Sequence, residues 1–535
     1  MRNSFTNILR ALYVVRVLAR YDALFLVDDM DQVPLPLKIV RRIVPLFAFG
    51  RPVDKSLRRG ERLALALQAL GPSFIKLGQA LSVRADLMGE EITQDLGNLR
   101  DKLPPFPFEE AKKTVEREFG RPLDEIYTSF DEKPIAAASI AQVHFAEIEE
   151  MATIVDEKGE ERQEPFRRKV AVKILRPDIE KAFERDLQLF FWIADLVERF
   201  QPDFRRLRPR KIVEILEQSV SLEMDLRMEA AAASEMAENF EGDPEFSVPA
   251  IDWERTGQRV MTQGRVEGIS LSNREALREA DIDFEKLSAI VIRVFLHQVL
   301  RDGFFHADMH HGNLFVTPEG KLIAVDFGIM GRMDMETRLF MAEMLYAFLT
   351  GDYRRAAEVH FEAGYVPKGK SLDAFTQACR SIGEPILGKP VNEISIGRLL
   401  IQLFQITETF EMETQPQLLL LQKTMVTAEG VAHSLNNNVN FWEVSYPTVE
   451  EWMRENMGPE ARIAQIVNDG MSFARKLPSL VSRADRILTR MEEEAHEADL
   501  NKLKRARLDH RGLGPVYFIC GLAAGISATV LYLLS

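Results

Sequence analysis

The chain has 535 residues, 46% of them hydrophobic and 28% charged, enough for two or three globular domains with well-formed cores. Its formal net charge of −14 excludes a general nucleic-acid binder, and no zinc-finger or RNA-recognition signature occurs. Two distant cysteines, Cys379 and Cys520, exclude a disulfide framework and cysteine-ligated metal, and fit a reducing compartment.

At the N-terminus Phe5, Ile8, Leu12, Val15 and Ala19 recur at helical spacing, while Arg10, Arg16 and Arg20 interrupt any signal-peptide core. Two readings stay open: an amphipathic helix lying on an anionic membrane, or an ordinary helix docked on the main domain. Residues 60–120 read as helices broken at Gly71-Pro72, with the proline-rich "LPPFP" before an amphipathic helix. "IAAASIAQVHFAEI" and "RKVAVKILRP" are strand-like β-branched runs, and the acidic segment between them reads as an exposed loop or hairpin. Residues 178–240 are helical. "RVMTQGRVEG" is a strand leading to a turn at Gly268. Residues 285–303 form a helix, and strands at 313–317 and 321–326 flank a Pro318–Gly320 turn. Residues 333–500 are mostly helical, and 484–507 is a charged helix.

From Pro515 to Leu534 the chain runs 20 residues without a charge. At ~1.5 Å per residue such a helix reaches about 30 Å, one hydrocarbon core. Lys502, Lys504, Arg505, Arg507 and Arg511 precede it, which predicts a main body on the cytoplasmic side. Gly521 and Gly525 form a G-x-x-x-G pair suited to helix–helix contact.

The chemistry concentrates in "FFHADMHHGNLFVTPEGKLIAVDFGIM", residues 304–330. His306 and His310 have the spacing of a zinc-binding helix, but Ala307 stands where that motif needs glutamate, and Gly312 would end the helix. The competing pattern is H-x-D-x-x-x-x-N followed by D-F-G. Asp308 then faces a phosphoryl acceptor, and Asn313 and Asp326 supply hard oxygens for magnesium. His310 and His311 are left to shape the loop or to contact phosphate or backbone. Such a loop requires a lysine for the phosphates, and Lys173 in "VAVKI" supplies it. That lysine needs a carboxylate from a helix, and "SLEMDLRMEAAA" offers Glu223, Asp225 and Glu229. At ~100° per residue, Asp225 and Glu229 lie about 40° apart on one helix, and Glu223 about 120° from Glu229.

Two kinase parts are missing. No G-x-G-x-x-G precedes the lysine strand; Ala136–Gln142 reads "AAASIAQ" instead. Small residues let a backbone approach phosphates, but alanine does not adopt positive φ cheaply. After Gly328 no A-P-E and no activation loop follow, so the platform that docks a peptide is absent.

"FIKLGQ", "LRDKLPPFP", "AAASIAQVH", "VAVKILRP", "EMDLRMEA", "HADMHHGN" and "VDFG" occur in this order over residues 60–330. This set resembles the UbiB family, also called the ABC1 kinase-like atypical kinases. "RVLARYDALF" resembles its bacterial ubiquinone-biosynthesis branch. The resemblance implies an α+β, atypical protein-kinase-like two-lobe fold with a helical N-terminal extension and a C-terminal transmembrane helix. The implied divisions are 1–55 membrane-proximal helices, 56–125 the extension with its K-x-G-Q motif, and 126–267 an N-lobe with inserted helices. A C-lobe at 268–455, a helical linker at 456–514 and a transmembrane segment at 515–535 follow.

For the site, the family pattern implies Lys173 on the phosphates with Glu229 as its partner, Asp308 as the catalytic aspartate, and Asn313 and Asp326 on magnesium. It implies contact with ATP (or ADP) for the loop Ala136, Ala137, Ala138, Ser139, Ile140, Ala141 and Gln142. Lys76, Gly78 and Gln79, with Glu223 and Asp225, would fold the extension over the site in a regulatory role. Met309 and His311 replace two prolines of the usual H-A-D-P-H-P-G-N, which alters loop rigidity rather than the catalytic positions. Relatives often end in a longer tail thought to span twice; this chain has about one span.

The expected function is an ATP-binding, magnesium-dependent atypical kinase or ATPase supporting ubiquinone biosynthesis at the bacterial inner membrane, with its catalytic domain on the cytoplasmic side. It would act on lipid-like quinone precursors rather than on proteins in trans. Ubiquinone-biosynthesis proteins and a homodimer are the expected partners besides the membrane, with no nucleic acid. A nucleotide-binding pseudokinase scaffold and a small-molecule phosphotransferase are the alternatives. A ring hydroxylase fails for want of a dinucleotide fingerprint, since Tyr517 stands where a third glycine would follow Gly512 and Gly514.

Overall fold

A computed structural model describes residues 2–27, 56–82, 89–97, 99, 103–155, 161–200, 209–385, 406, 409–412 and 416–457. Residues Met1–Trp452 form one compact unit and Met453–Ser535 another. The expected charged helix at 484–507, the linker at 456–514 (beyond residue 457) and the apolar segment at 515–535 lie outside the described residues. Among the described residues, no helix is long and apolar enough to cross a membrane.

The chain opens with α1 (Arg2–Arg20), α2 (Arg59–Leu70), α3 (Pro72–Leu81) and α4 (Glu90–Gly97). Gly71, at φ 106°, turns the chain between α2 and α3, and Pro72 starts the new helix where a missing N–H costs nothing. Val14, Leu63, Leu67, Leu70 and Phe74 of these helices share one core with Phe183, Leu187 and Phe190 of α6 (Ile179–Phe200) and Val213, Leu216 and Val220 of α7 (Pro209–Glu223). The extension and the inserted helices are thus one bundle.

After α5 (Phe108–Phe119) come β1 (Ser129–Phe130), β2 (Ala136–Ala137), β3 (Ala141–Val155) and β4 (Glu161–Leu175). The last of these pairs with β6 (Val260–Gly264); the sheet order is β1-β3-β4-β6, with β2 beside β3. The acidic segment is a hairpin, paired from Ala141–Leu175 out to Val155–Glu161. Alternation along β4 decides its faces. Val170, Val172 and Ile174 pack with Ala111 and Val115 of α5. Leu175 instead packs with Leu226 and Ala230 of α8 (Leu226–Asn239). Period two therefore puts Lys173 on the α8 face.

In the second lobe α9 (Phe284–Leu296) continues through a wider turn, His297–Asp302, into β8 (Phe304–His306). Next come β9 (Leu314–Val316), β10 (Leu322–Ala324) and β11 (Met330–Arg332). β9 and β10 form the expected hairpin and pair outward with β7 (Ile269–Ser270) and β5 (Phe246–Ser247), while β11 pairs with β8. Phe246–Ser247 precedes the last strand of the first sheet yet joins the second, in parallel with β10. Helices α10 (Met335–Thr350), α11 (Tyr353–Glu362), α12 (Leu372–Gly383), α13 (Pro416–Leu435) and α14 (Phe441–Met457) follow.

The N-terminal helix is docked, but not by the face read from its sequence. Val14, Val17 and Leu18 meet the bundle core. Arg10 donates two hydrogen bonds to the buried Asp186 of α6, at 2.9 and 3.1 Å. Ile8 and Leu12 point to solvent.

Candidate active site

Lys173 is the hub. Its Nζ lies 2.7 and 2.9 Å from the two carboxylate oxygens of Glu229 and 3.1 Å from Asp326 Oδ1. β4, α8 and the loop before β11 thus meet at one ammonium. Burial disfavours the charged lysine, but the Asp326 and Glu229 carboxylates outweigh it and hold Lys173 above its ordinary value. The Lys173 ammonium also drives Asp326 down to about 2 against the effect of burial, with smaller help from Lys76. Burial pushes the Glu229 carboxyl up against the pull of Lys173. One cation faces two carboxylates, so the cluster keeps an excess negative charge suited to a further cation.

Asp326 takes φ 65°, a left-handed conformation costly for a non-glycine residue. Phe327, buried and in ring contact with His306 at 5.2 Å, pins the strained turn. The Val325 N–H donates to the Asn313 carbonyl (2.9 Å), which places Asn313 beside Asp326 across the β9–β10 hairpin. A carboxylate and a carboxamide side by side are a hard-oxygen donor set that fits magnesium.

The catalytic loop is held by its own polar groups. His306 is fully buried: its Nδ1 accepts from the Asp308 N–H (3.1 Å), and its Nε2–H donates to the Val325 carbonyl (3.1 Å). Burial lowers its pKa, so it is a neutral spacer. The Asn313 Nδ2 donates to the Asp308 carbonyl at 3.1 Å. His310 Nδ1 accepts from the Gly312 N–H, and His311 Nε2 lies 2.6 Å from Ser434 Oγ of α13. Thr424 Oγ1 of α13 donates to the Leu420 carbonyl of its own helix (2.8 Å) and lies 3.4 Å from the Ala307 carbonyl. Neither His306 nor His310 is turned to a shared metal position. Among the described residues, no group of three or more His, Cys, Asp or Glu side chains is arranged to hold a metal ion by itself.

The alanine-rich loop is a tight turn. β2 pairs Ala136 with Val143 and Ala137 with Gln142, and the Ala138 N–H donates to the Ala141 carbonyl (2.8 Å). No residue from 136 to 142 takes positive φ, so glycine is not required there. The second half of the loop, from Ser139 to Gln142, faces inward. Gln142 is fully buried; its Oε1 accepts from the Phe106 N–H (3.0 Å) and its Nε2 donates to His144. It therefore anchors the "LPPFP" segment instead of presenting its side chain to a nucleotide. Ile140 packs into two apolar clusters, and Ser139 is buried.

Sequence reasoning missed Arg176. Its guanidinium donates twice to the Ala138 carbonyl (2.9 and 3.1 Å) and once to the Pro104 carbonyl (2.9 Å), and it lies 5.6 Å from the Phe106 ring centre. One side chain thus ties the alanine-rich loop to the proline-rich segment. It sits three residues past Lys173, inside the quoted "VAVKILRP", but an isolated arginine gives no clue to which carbonyls it reaches.

The extension comes close to this site. Lys76 Nζ is 2.5 Å from Glu223 Oε2, both largely buried. A side chain on Gly78 would collide with Leu67 and Leu99, so the glycine lets α3 approach; Gln79 is partly buried on the same helix. Asp225 does not join Lys76 or Glu229. α7 stops at Glu223 and α8 starts at Leu226, with Asp225 in extended backbone as the α8 N-cap, accepting from the Arg227 N–H at 3.1 Å. The single helix assumed for Glu223, Asp225 and Glu229 is broken there, because a capping aspartate satisfies an orphan amide that an unbroken helix would not have.

Residues 98–360 match the ABC1 atypical kinase-like domain and residues 379–440 the UbiB helical domain. A Marinobacter nauticus protein named "Probable protein kinase UbiB" is 38% identical over 455 residues, covering 84% of this chain and 80% of its own. A Pseudomonas paraeruginosa protein of the same name is 37% identical over 524 residues, covering 97% and 94%. A Pseudomonas fluorescens one is 38% identical over 528 residues, covering 96% and 94%. With the lysine, the two carboxylates and the backed catalytic loop in place, the chain belongs to the UbiB family of ABC1 atypical kinase-like proteins.

Proposed function

We propose that this chain binds ATP with magnesium and uses it, as a kinase or ATPase, to support ubiquinone biosynthesis at a membrane. Its acceptor is a lipid-like quinone precursor. The observation that carries the chemistry is Lys173 bridging Glu229 and Asp326. Magnesium-bound ATP supplies a γ-phosphoryl group whose charge is already partly neutralised. Lys173, steered by Glu229, meets the phosphates. Asn313 and Asp326 offer the oxygens that hold the metal, and Asp308 accepts the proton of an attacking hydroxyl or water. His306 and Asn313 fix the Asp308 backbone, and so its direction.

The choice of acceptor rests on what surrounds the site. Three residues after Gly328 the chain is already completing β11, and α10 starts at Met335, which leaves no segment to seat an extended peptide. α13 backs the catalytic loop instead. The relatives' name speaks of protein kinases; the same absence of a peptide platform argues for a different acceptor here. Deletion of the gene, followed by quinone analysis, tests the whole reading. Loss of quinone rescued by wild type and not by Asp308→Asn is expected; normal quinone, or rescue by Asp308→Asn, overturns it.

The extension packed at the site favours one second reading, a nucleotide-binding scaffold. Thermal stabilisation by nucleotide without turnover would select it.

A further inference from the structure

α1 has two apolar faces, and the bundle uses one of them. At ~100° per residue, Val17, Arg10, Val14 and Leu18 fall in an arc of about 100° on the docked side. Ile8, Leu12, Arg16, Leu9, Arg20 and Tyr13 fill an arc of about 140° on the other. On that second arc Ile8 is 45%, Leu9 53%, Leu12 47% and Tyr13 46% exposed. Four large apolar side chains on five turns of helix are more than scattered surface hydrophobics account for. The bidentate Arg10–Asp186 pair prevents the helix from rolling to bury them.

Charge identifies what covers this face. The helix carries Arg2, Arg10, Arg16 and Arg20 and no acidic residue, in a chain whose net charge is −14. Its local sign is the reverse of the molecule's. Arg16 and Arg20, both exposed, lie within the apolar arc, where long side chains keep their heads in water while their stems cover apolar surface. A helix with this arrangement is suited to the boundary between headgroups and acyl chains of an anionic bilayer.

We propose that the outer face of α1 is a membrane-contact surface. Ile8, Leu9, Leu12 and Tyr13 enter the acyl boundary, and Arg16 and Arg20 pair with anionic headgroups. The helix sits on the bundle that also holds Lys76 and Glu223, so contact at α1 orients the extension towards the lipid. The inference rests on the membrane part of the proposed function and is independent of its ATP chemistry.

The test uses the full chain in lipid nanodiscs. Cys520 is replaced by serine, Cys379 stays buried, and an environment-sensitive fluorophore is placed through Leu12→Cys or, as a control on an exposed turn, Glu319→Cys. Discs contain bromine-labelled lipids and are either partly phosphatidylglycerol or wholly phosphatidylcholine. The expected result is at least twofold stronger quenching at position 12 than at 319 in anionic discs, with the excess lost on adding Arg16→Glu and Arg20→Glu or high salt. Equal quenching at both positions on disc-bound protein overturns the α1 surface and leaves membrane attachment to another segment. Protein that does not bind discs at all overturns both. Shielding of position 12 from soluble quencher by a protein partner, without lipid quenching, also overturns it.

Discussion

Two lysines, each buried against a glutamate, organise this molecule in different ways. Lys76 in the extension meets Glu223. Lys173 in the sheet meets Glu229, but also Asp326, whose side chain is 48% exposed and sits in strained backbone. The first pair closes a helix interface. The second joins two elements of the candidate site, β4 and the loop that carries Asp326. On the function proposed above, phosphates and metal would exchange the Lys173–Asp326 contact for new ones, while Glu229 would keep the ammonium in place. Both are lysine–glutamate pairs, and only Lys173 has a second carboxylate, Asp326, within 3.1 Å.

Breaking each pair should therefore give different losses. Lys173→Met removes the proposed phosphate partner, and ATP turnover should fall on the order of 10²-fold or more, beside a stability loss of the same kind as at Lys76 because Glu229 is then buried without this ammonium, read from steady-state kinetics beside urea unfolding. Lys76→Met removes the cation that lies 2.5 Å from the largely buried Glu223. It should cost roughly 3 kcal/mol of stability, recovered in part by the double variant with Glu223→Gln, read from urea unfolding. Equal damage to turnover and stability in both variants would erase the distinction. A smaller effect is expected at Arg176, which reaches the site only through the Ala138 and Pro104 carbonyls. Arg176→Lys should raise the KM for ATP several-fold more than it lowers kcat, since the loop loses its fork of donors while the catalytic groups stay put. Smallest is the Arg332–Glu235 pair, at 2.5 and 2.8 Å but solvent-exposed, which links β11 to α8. Charge reversal at either residue should cost less than about 1 kcal/mol, and reversal of both should restore it.

Much of the site is legible in the sequence because its parts are local. The spacing of Asp308, Asn313 and Asp326 fits a loop and a hairpin, and alternation in "VAVKI" alone predicts which neighbours share the face of Lys173. The alanine-rich loop is expected to contact ATP, and the burial of Gln142 within it is not legible, because Phe106, 36 residues away, supplies the partner. The break at Asp225 has a local cause instead: in "SLEMDLRMEA" the aspartate is a poor helix former and a preferred N-cap, and it caps α8 through the Arg227 N–H. For α1 the period is clear and the docked face is not, since both faces are apolar and the choice depends on Asp186 in a distant helix. Ser434 and Thr424 behind the catalytic loop leave no local signal at all.

The exchange of Lys173 for metal at Asp326 is the centre of this account. Its most direct test is magnesium-dependent ATP turnover by the full chain in lipid discs, wild type against Asp326→Asn, across a magnesium titration. The expected result is turnover in wild type that depends on magnesium and falls on the order of 10²-fold in the variant, with nucleotide still bound. Turnover in Asp326→Asn equal to wild type, with the same magnesium dependence, would contradict it.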